Sequence, residues 1–331
     1  MLVRIATIDD SDALLALARK GGAGMTNLPP DRDALAARLH ASTEALADPQ
    51  APGPIILVLS HGADLIGCGM VFPRVGVDWP FYSYRISRTS QRSAVTGRRV
   101  SFRMLTLTND LDGHAEVGGL LVDPAFQGRA AGALMSRSRY LFIAGHRERF
   151  GEKVIADLRG VHVDGHSPFW DAVGRRFYDM PFEEADRLNA LTGNQMIADM
   201  GPRHPIHANL LSDEAQAAIG QPHADGRRAR DLLLAEGFRE DGYIDIFDAG
   251  PTLIAEIDGL ASIRSSMVDR IDAIEPVGAD GVDSLIAAHE GDDFQVMRAP
   301  VTRTASGIAI APETATALKL GKGDMARHTR F

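Results

Sequence analysis

A chain of 331 residues, 45% hydrophobic and 24% charged, has the balance of a globular protein and exceeds the usual size of one domain, so a main domain with an appendage is expected. Its formal net charge of −9 and pI near 5.6 repel phosphate backbones and exclude a general nucleic-acid binder. The single Cys68 excludes an intramolecular disulfide, no apolar stretch approaches the roughly 20 residues that span a bilayer, and the opening lacks a leader-like charged and apolar pair of segments. A reducing, cytoplasmic setting without membrane association is the expectation.

The opening LVRIATI alternates as a strand does, and the Asp and Ser residues of DDSDALLALARK supply N-cap candidates for a helix with apolar residues at helical spacing. GGAGMTNLPPD reads as a loop, and RDALAARLHASTEALA as a second helix with Leu35, Leu39 and Leu46 on one face. Two well-buried strands, 55–59 and 64–72, make a hairpin around SHGA, with Cys68 a small buried residue of the second. Strand-like runs follow at 81–87, 99–108 and 115–122, then a turn, a long helix from about 130 to 149, a strand at KVIADL and a short helix at SPFWDAV.

Residues 182–236 have a helical pattern that ends on Gly237, in the usual place of a C-cap. GYIDIFDAGPTL restores a strand and a turn, and FQVMRAPV with GIAIAPETATALKLGKGD indicates a β-rich end. The whole predicts an α/β (α+β) fold, a mixed and mostly antiparallel sheet flanked by helices. The expected division is a core over 1–180, a helical extension with a returning strand over 181–254, and a small β-rich region over 255–331.

The most informative segment is AEVGGLLVDPAFQGRAAGALMSRSRYLFIAG: an apolar strand, Asp123-Pro124, a turn rich in Gly and Ala, and a long helix. Small residues at a helix start let a phosphate approach unpaired backbone N–H groups, where the helix dipole favours its charge. Arg129 adds a charge-assisted contact.

The segment resembles the acyl-CoA signature of the GNAT superfamily: Gln or Arg, two residues, Gly, one residue, then Gly or Ala. Gln127, Ala130 and Gly132 occupy its positions, Ala130 departing from the preferred Gly. With IADLRGV, SPFWDAVGRRFYDMPFEEAD, RHPI, SDEAQAAIGQPH and EGFREDGYIDIFDAGPTL, the chain over roughly 1–260 resembles the arginine N-succinyltransferase family. The resemblance implies a GNAT-like core and transfer of a succinyl group from succinyl-CoA, as co-substrate, to the α-amine of L-arginine, with no permanently bound cofactor. Leu120 matches the family's succinyl-CoA contact and His223 its proton donor. Family members also occur as paired related chains, so a homodimer, a heterodimer with a related subunit, another amine such as ornithine, another acyl-CoA and a non-catalytic partner subunit stay open.

Direct aminolysis needs a deprotonated amine, a stabilised oxyanion and a proton for the departing thiolate. His223, in the polar loop of AIGQPHADG, is the first choice among 11 histidines for the proton. His204 and His207 compete with it, but Pro205 interrupts a regular helix between them and no third ligand accompanies them, so no metal is expected. Arg85, Asn109, Asp110, Glu116 and Arg159 are candidates for reading the substrates' charged ends, each with a simpler reading, which the sequence favours, as a solvated or structural ion pair.

Overall fold

The computed structural model describes residues 1–21, 27–288 and 291–331; residues 22–26 of the expected loop lie outside them. In chain order the strands are β1 (Leu2–Ile5), β2 (Ile55–His61), β3 (Asp64–Phe72), β4 (Ser83–Arg92), β5 (Arg99–Thr108), β6 (Ala115–Val122), β7 (Lys153–Asp157), β8 (Ile206–His207), β9 (Arg239–Ile244), β10 (Pro251–Glu256), β11 (Met267–Ile274), β12 (Val282–Ala288), β13 (Gln295–Arg303), β14 (Ile308–Ile310) and β15 (Met325–Arg330). The helices are α1 (Ser11–Gly21), α2 (Arg32–Ala47), α3 (Ala131–Gly145), α4 (Pro168–Ala172), α5 (Gly174–Tyr178), α6 (Phe182–Thr192), α7 (Gln195–Met200), α8 (Asp213–Ala218), α9 (Arg227–Glu236), α10 (Ala261–Arg264) and α11 (Pro312–Leu318). The fold is mixed α/β, and the chain forms two compact units: Met1–Pro73, Ala115–Glu152 and Glu256–Phe331 in the first, Arg74–His114 and Lys153–Ala255 in the second.

In the first unit, β1, β2, β3 and β6 lie side by side, and their pairings are antiparallel. Helices α1 and α2 cover this sheet because Leu14, Leu17, Leu35 and Leu39 pack on Ile56, Val58, Cys68 and Met70. Asp31 caps α2 by accepting the Ala34 N–H at 2.8 Å, and the buried Ser42 hydroxyl accepts the Ile56 N–H at 3.0 Å, tying helix to strand. On the other side of β1, β13 leads into a ring: β12 pairs with both β15 and β13, so β12, β15, β11, β14 and β13 close on themselves around Ile271, Ile286, Val301 and Ile308. Here β11 and β14 run parallel. The ring is not wholly β: α11 follows β14, started by Pro312 and stopped at Lys319, whose φ is +54°.

In the second unit the strand order is β7-β10-β9-β4-β5-β8. Its core centres on Trp170, stacked between Tyr178 and Phe247 at 5.4 and 5.3 Å, with the indole N–H donating to the Met180 carbonyl. The expected helical stretch over 182–236 resolves into α6 to α9 with the short β8 between them, and α9 ends on Gly237 in the left-handed conformation. The expected strand at 81–87 instead runs from Ser83 to Arg92, because its polar outer half pairs with β5 residue for residue. From Ser87 to Arg92 β4 is exposed, and register places Arg88 opposite Arg103 and Arg92 opposite Arg99 on one face.

Candidate active site

The ladder between β3 and β6 loses register once. Cys68 pairs with Leu121 and Met70 with Gly118, so Gly119 and Leu120 together oppose Gly69. This is a β-bulge, made possible by Gly119 at φ +57°, and it takes the backbone groups of Gly119 and Leu120 out of regular pairing. Leu120, the expected acyl-CoA contact, therefore sits where main-chain groups are released rather than in plain core.

The turn after β6 is built by Asp123. Its carboxylate accepts the Lys20 ammonium at 2.7 Å and the Ala125 N–H at 3.0 Å, which holds it below the usual carboxylate range. Gln127 and Arg129 are exposed, Arg129 lying 5.4 Å over the Phe126 ring. Gly128 and Ala130 both have positive φ, +80° and +61°, and Ala130 is the N-cap of α3 without a side-chain cap bond. The preference for glycine at position 130 thus has a conformational cause: an alanine in the left-handed region costs on the order of 1 kcal/mol. The N–H groups of Ala131, Gly132 and Ala133 have no intrahelical acceptor, as at any helix start. A Cβ placed on Gly128 or Gly132 meets nothing within 4 Å, so the space before these amides is open. A 15-residue helix with a bare, glycine-lined N-terminus has the properties of an anion site.

His223 belongs to the second unit, on the loop between α8 and α9. Backbone contacts hold that loop: the His223 N–H donates to the Arg159 carbonyl at 2.7 Å, Gly160 bridges Pro222, and the Gly220 N–H donates to Ala249 at 2.9 Å. Gly160 and Gly250 are required here, since a Cβ on either would fall 2.3 Å from the Asp248 carbonyl or 1.9 Å from that of Leu158. The imidazole is 25% exposed. Its Nδ1 accepts the Asp225 N–H at 3.3 Å and lies 3.4 Å from the Asp225 carboxylate. The first contact suits the neutral ring and leaves the proton on Nε2; the second, to a 92% exposed carboxylate, suits the imidazolium only weakly.

The strand–turn–helix thus joins Leu120, Gln127, Arg129, Ala130 and Gly132 within the first unit, while His223 stands in the second. Of the other candidates, Arg85, Asp110 and Tyr243 form one cluster, with Arg85 Nη1 donating to Tyr243 at 2.6 Å and to Asp110 at 3.3 Å. The Thr108 hydroxyl, then Tyr243 and Arg85, hold Asp110 below the usual carboxylate range. Asn109 donates to Asp112 at 2.8 Å. His204 is exposed and His207 packs on Phe102 at 5.0 Å; among the described residues no group of three or more His, Cys, Asp or Glu is arranged to hold a metal. Cys68 is fully buried, which pushes its thiol up to about 12. Sequence reasoning passed over Arg139, which SRSRY presents as an ordinary helical residue and which is in fact buried beside the bulge.

A bulged strand that leads into an uncapped, open helix start suits an anionic, extended co-substrate such as an acyl-CoA. The family model described as "Arginine N-succinyltransferase beta subunit" matches residues 1–262, and that of its C-terminal domain matches 266–330. The arginine N-succinyltransferase of Escherichia coli (strain 55989 / EAEC) is 35% identical over 336 residues, covering 100% of this chain and 98% of that protein. That of Enterobacter sp. (strain 638) is 34% identical with the same coverage. The solved structure of arginine/ornithine succinyltransferase subunit AI from Pseudomonas aeruginosa is 32% identical, with a TM-score of 0.88, covering 99% of this chain and 98% of that one. The chain belongs to the arginine N-succinyltransferase beta subunit family.

Proposed function

We propose that this chain transfers the succinyl group of succinyl-CoA to the α-amine of L-arginine, as a cytoplasmic enzyme of arginine catabolism with no permanently bound cofactor. The observation that carries the reading is the open, uncapped start of α3 directly after a bulged strand, in a chain that matches this family along its length. The amine nitrogen attacks the thioester carbonyl carbon, the oxyanion collapses, the C–S bond breaks and the thiolate leaves. The amine gives up one proton and the sulfur takes one, so N-succinylarginine and the CoA thiol are the products.

In this reading the released backbone at Gly119 and Leu120 meets the acyl-pantetheine arm, and the amides around Ala131 and Gly132 meet the pyrophosphate. Gln127 and Arg129 flank it, and His223 supplies the thiolate's proton from Nε2. The Pseudomonas aeruginosa relative is described as an arginine/ornithine succinyltransferase, which makes ornithine the second acceptor to assay. The family's description as a beta subunit supports assembly with a second chain, either a copy or a related subunit.

The purified chain is expected to release CoA from succinyl-CoA only when L-arginine or a close analogue is present. In Gly132→Glu the new side chain enters open space and, near a helix N-terminus, does not harm the helix, but it fills and repels the phosphate site. The expected result is a KM for succinyl-CoA raised by roughly tenfold or more, worth about 1.4 kcal/mol, with the KM for arginine little changed. A folded variant with an unchanged KM for succinyl-CoA would place the cofactor elsewhere.

A further inference from the structure

Three stretches of the second unit, 158–160, 220–223 and 245–251, meet at one buried carboxylate. Asp248 exposes 9% of its side chain. Its Oδ2 accepts the Gly160 N–H at 2.7 Å and its Oδ1 accepts the Gly250 N–H at 2.9 Å. His162, 7% exposed, sets its Nε2 3.5 Å from the same Oδ2, and its ring stands at 82° to that of Phe182, 4.9 Å away. Among the described residues that Nε2 has no closer polar partner. Burying a carboxylate is costly, and here burial and then the charge of Asp248 push its neighbours Asp157 and Asp245 up. A charge kept in so acidic an interior asks what it organises.

What it organises is the segment that ends in His223, which the turn 248–250 pins at both ends. At the start, the Gly220 N–H donates to the Ala249 carbonyl at 2.9 Å. Ala249 is buried and holds φ at +57°, a left-handed conformation that disfavours any residue with a Cβ and that persists only where its surroundings impose it. At the end, the His223 N–H donates to the Arg159 carbonyl at 2.7 Å.

That carbonyl and the Gly160 N–H are the two polar groups of a single peptide, which is planar and rigid. The Asp248 carboxylate therefore acts on His223 through one stiff unit: it grips the amide on one edge of the peptide, and the carbonyl on the other edge grips His223. The isolated bridge between Gly160 and Pro222 runs along the same contact. Hydrogen bonds in such a chain polarise one another, so a charged acceptor at its head tightens the bond at its far end.

We propose that Asp248, backed by His162, is a positioning residue of the transfer reaction, fixing through the 159–160 peptide the backbone on which His223 is carried and hence the direction in which Nε2 points. The proposal rests on the reading of His223 as the thiolate's proton donor.

The test is a double-mutant cycle of Asp248→Asn with His223→Ala, measuring kcat and the KM for succinyl-CoA, with thermal melting of every variant. Asn keeps the size of the side chain but turns an N–H toward one of the two amides that Asp248 accepts. Asp248→Asn is expected to lower kcat by about tenfold, since small misplacements of a reacting group are costly, and to leave the KM for succinyl-CoA little changed, because that site is built by the first unit. Added to His223→Ala it should cause no further loss, whereas independent losses multiply. His162 gives a second pair of variants that leaves both amide bonds of Asp248 in place. His162→Leu should lower kcat several-fold, again only while His223 is present, and His162→Gln, which retains a side-chain N–H, should recover most of it. Should Asp248→Asn fail to fold, the His162 pair decides alone. Losses that multiply with that of His223→Ala, or normal turnover in Asp248→Asn and His162→Leu, overturn the positioning role and leave His223 as the acid. Normal turnover in His223→Ala itself overturns the acid assignment and this proposal together.

Discussion

At the scale of single residues, the chemistry asks most of His223. Its loop is held by the Arg159 carbonyl and the Gly160–Pro222 bridge, and Nδ1 is engaged by Asp225, so rotation of the ring is restrained and Nε2 is the nitrogen left to donate. Removing the ring should therefore cost proton transfer and little else. His223→Ala is expected to lower kcat by about 10²-fold, at the low end for a positioned acid because a thiol of reference pKa near ~8.5 is already a fair leaving group, with the KM for succinyl-CoA nearly intact. His204→Ala, an exposed histidine in the same unit, serves as the comparison, and melting of both variants checks the fold. Normal turnover in His223→Ala together with loss in His204→Ala would move the acid to the second histidine.

At the scale of elements, the β4–β5 ribbon sets pairing against charge. Toward its tip, where Ser90–Arg92 pair with Arg99–Ser101, no third strand among the described residues joins the ladder, and a two-stranded ribbon is marginal alone. Arg92 faces Arg99 across it, and like charges in opposed positions destabilise. Arg92→Glu should therefore slow hydrogen exchange in the ribbon, by the roughly 0.2–1 kcal/mol of a cross-strand ion pair, with the gain fading in high salt. Exchange that stays the same at low salt would show that register does not bring these two charges together. The ribbon also shows what can be read in advance. Strands β3, β5 and β6 lie where their apolar or alternating residues put them, and Gly237 stops α9 as a glycine C-cap should. The outer half of β4, SRTSQR, has no apolar face, so only its partner makes it a strand. Closure of the β11–β15 ring depends on contacts far apart in sequence. The open start of α3 was legible because small residues precede an apolar helical run there, whereas Arg139 was not, since nothing local in SRSRY separates a buried arginine from a solvated one.

At the scale of the whole molecule, acidity is distributed unevenly between surface and interior, and the buried part governs how stability varies with pH. Asp157 ends β7, while Asp245 and Asp248 occupy the turn from β9 to β10. Burial sets all three upward, but His162, Gly250 and Gly160 hold Asp248 below the usual carboxylate range. Asp245, with Asp248 and Asp157 near it, is raised well above that range, and burial pushes Asp157 up to about 6 despite the Thr252 hydroxyl it accepts. For Asp157 the folded state binds the proton more tightly than the unfolded chain, whose aspartates titrate near ~3.9. Its contribution is therefore full below about pH 4, falls as pH rises to about 6, and is absent above that. Asp248 works the other way, contributing above about pH 4 and losing its contribution as pH drops through its lowered folded value. Asp157→Asn imitates the protonated acid and keeps an oxygen to accept from Thr252. It should raise the melting temperature by roughly 2–5 °C at pH 7.5, and the gain should shrink to nothing near pH 4. Melting curves of both proteins at half-unit steps from pH 4 to 8 decide it: a difference that does not change with pH, or a variant that melts lower at pH 7.5, would mean that burial does not raise Asp157 above the usual carboxylate range in the folded protein.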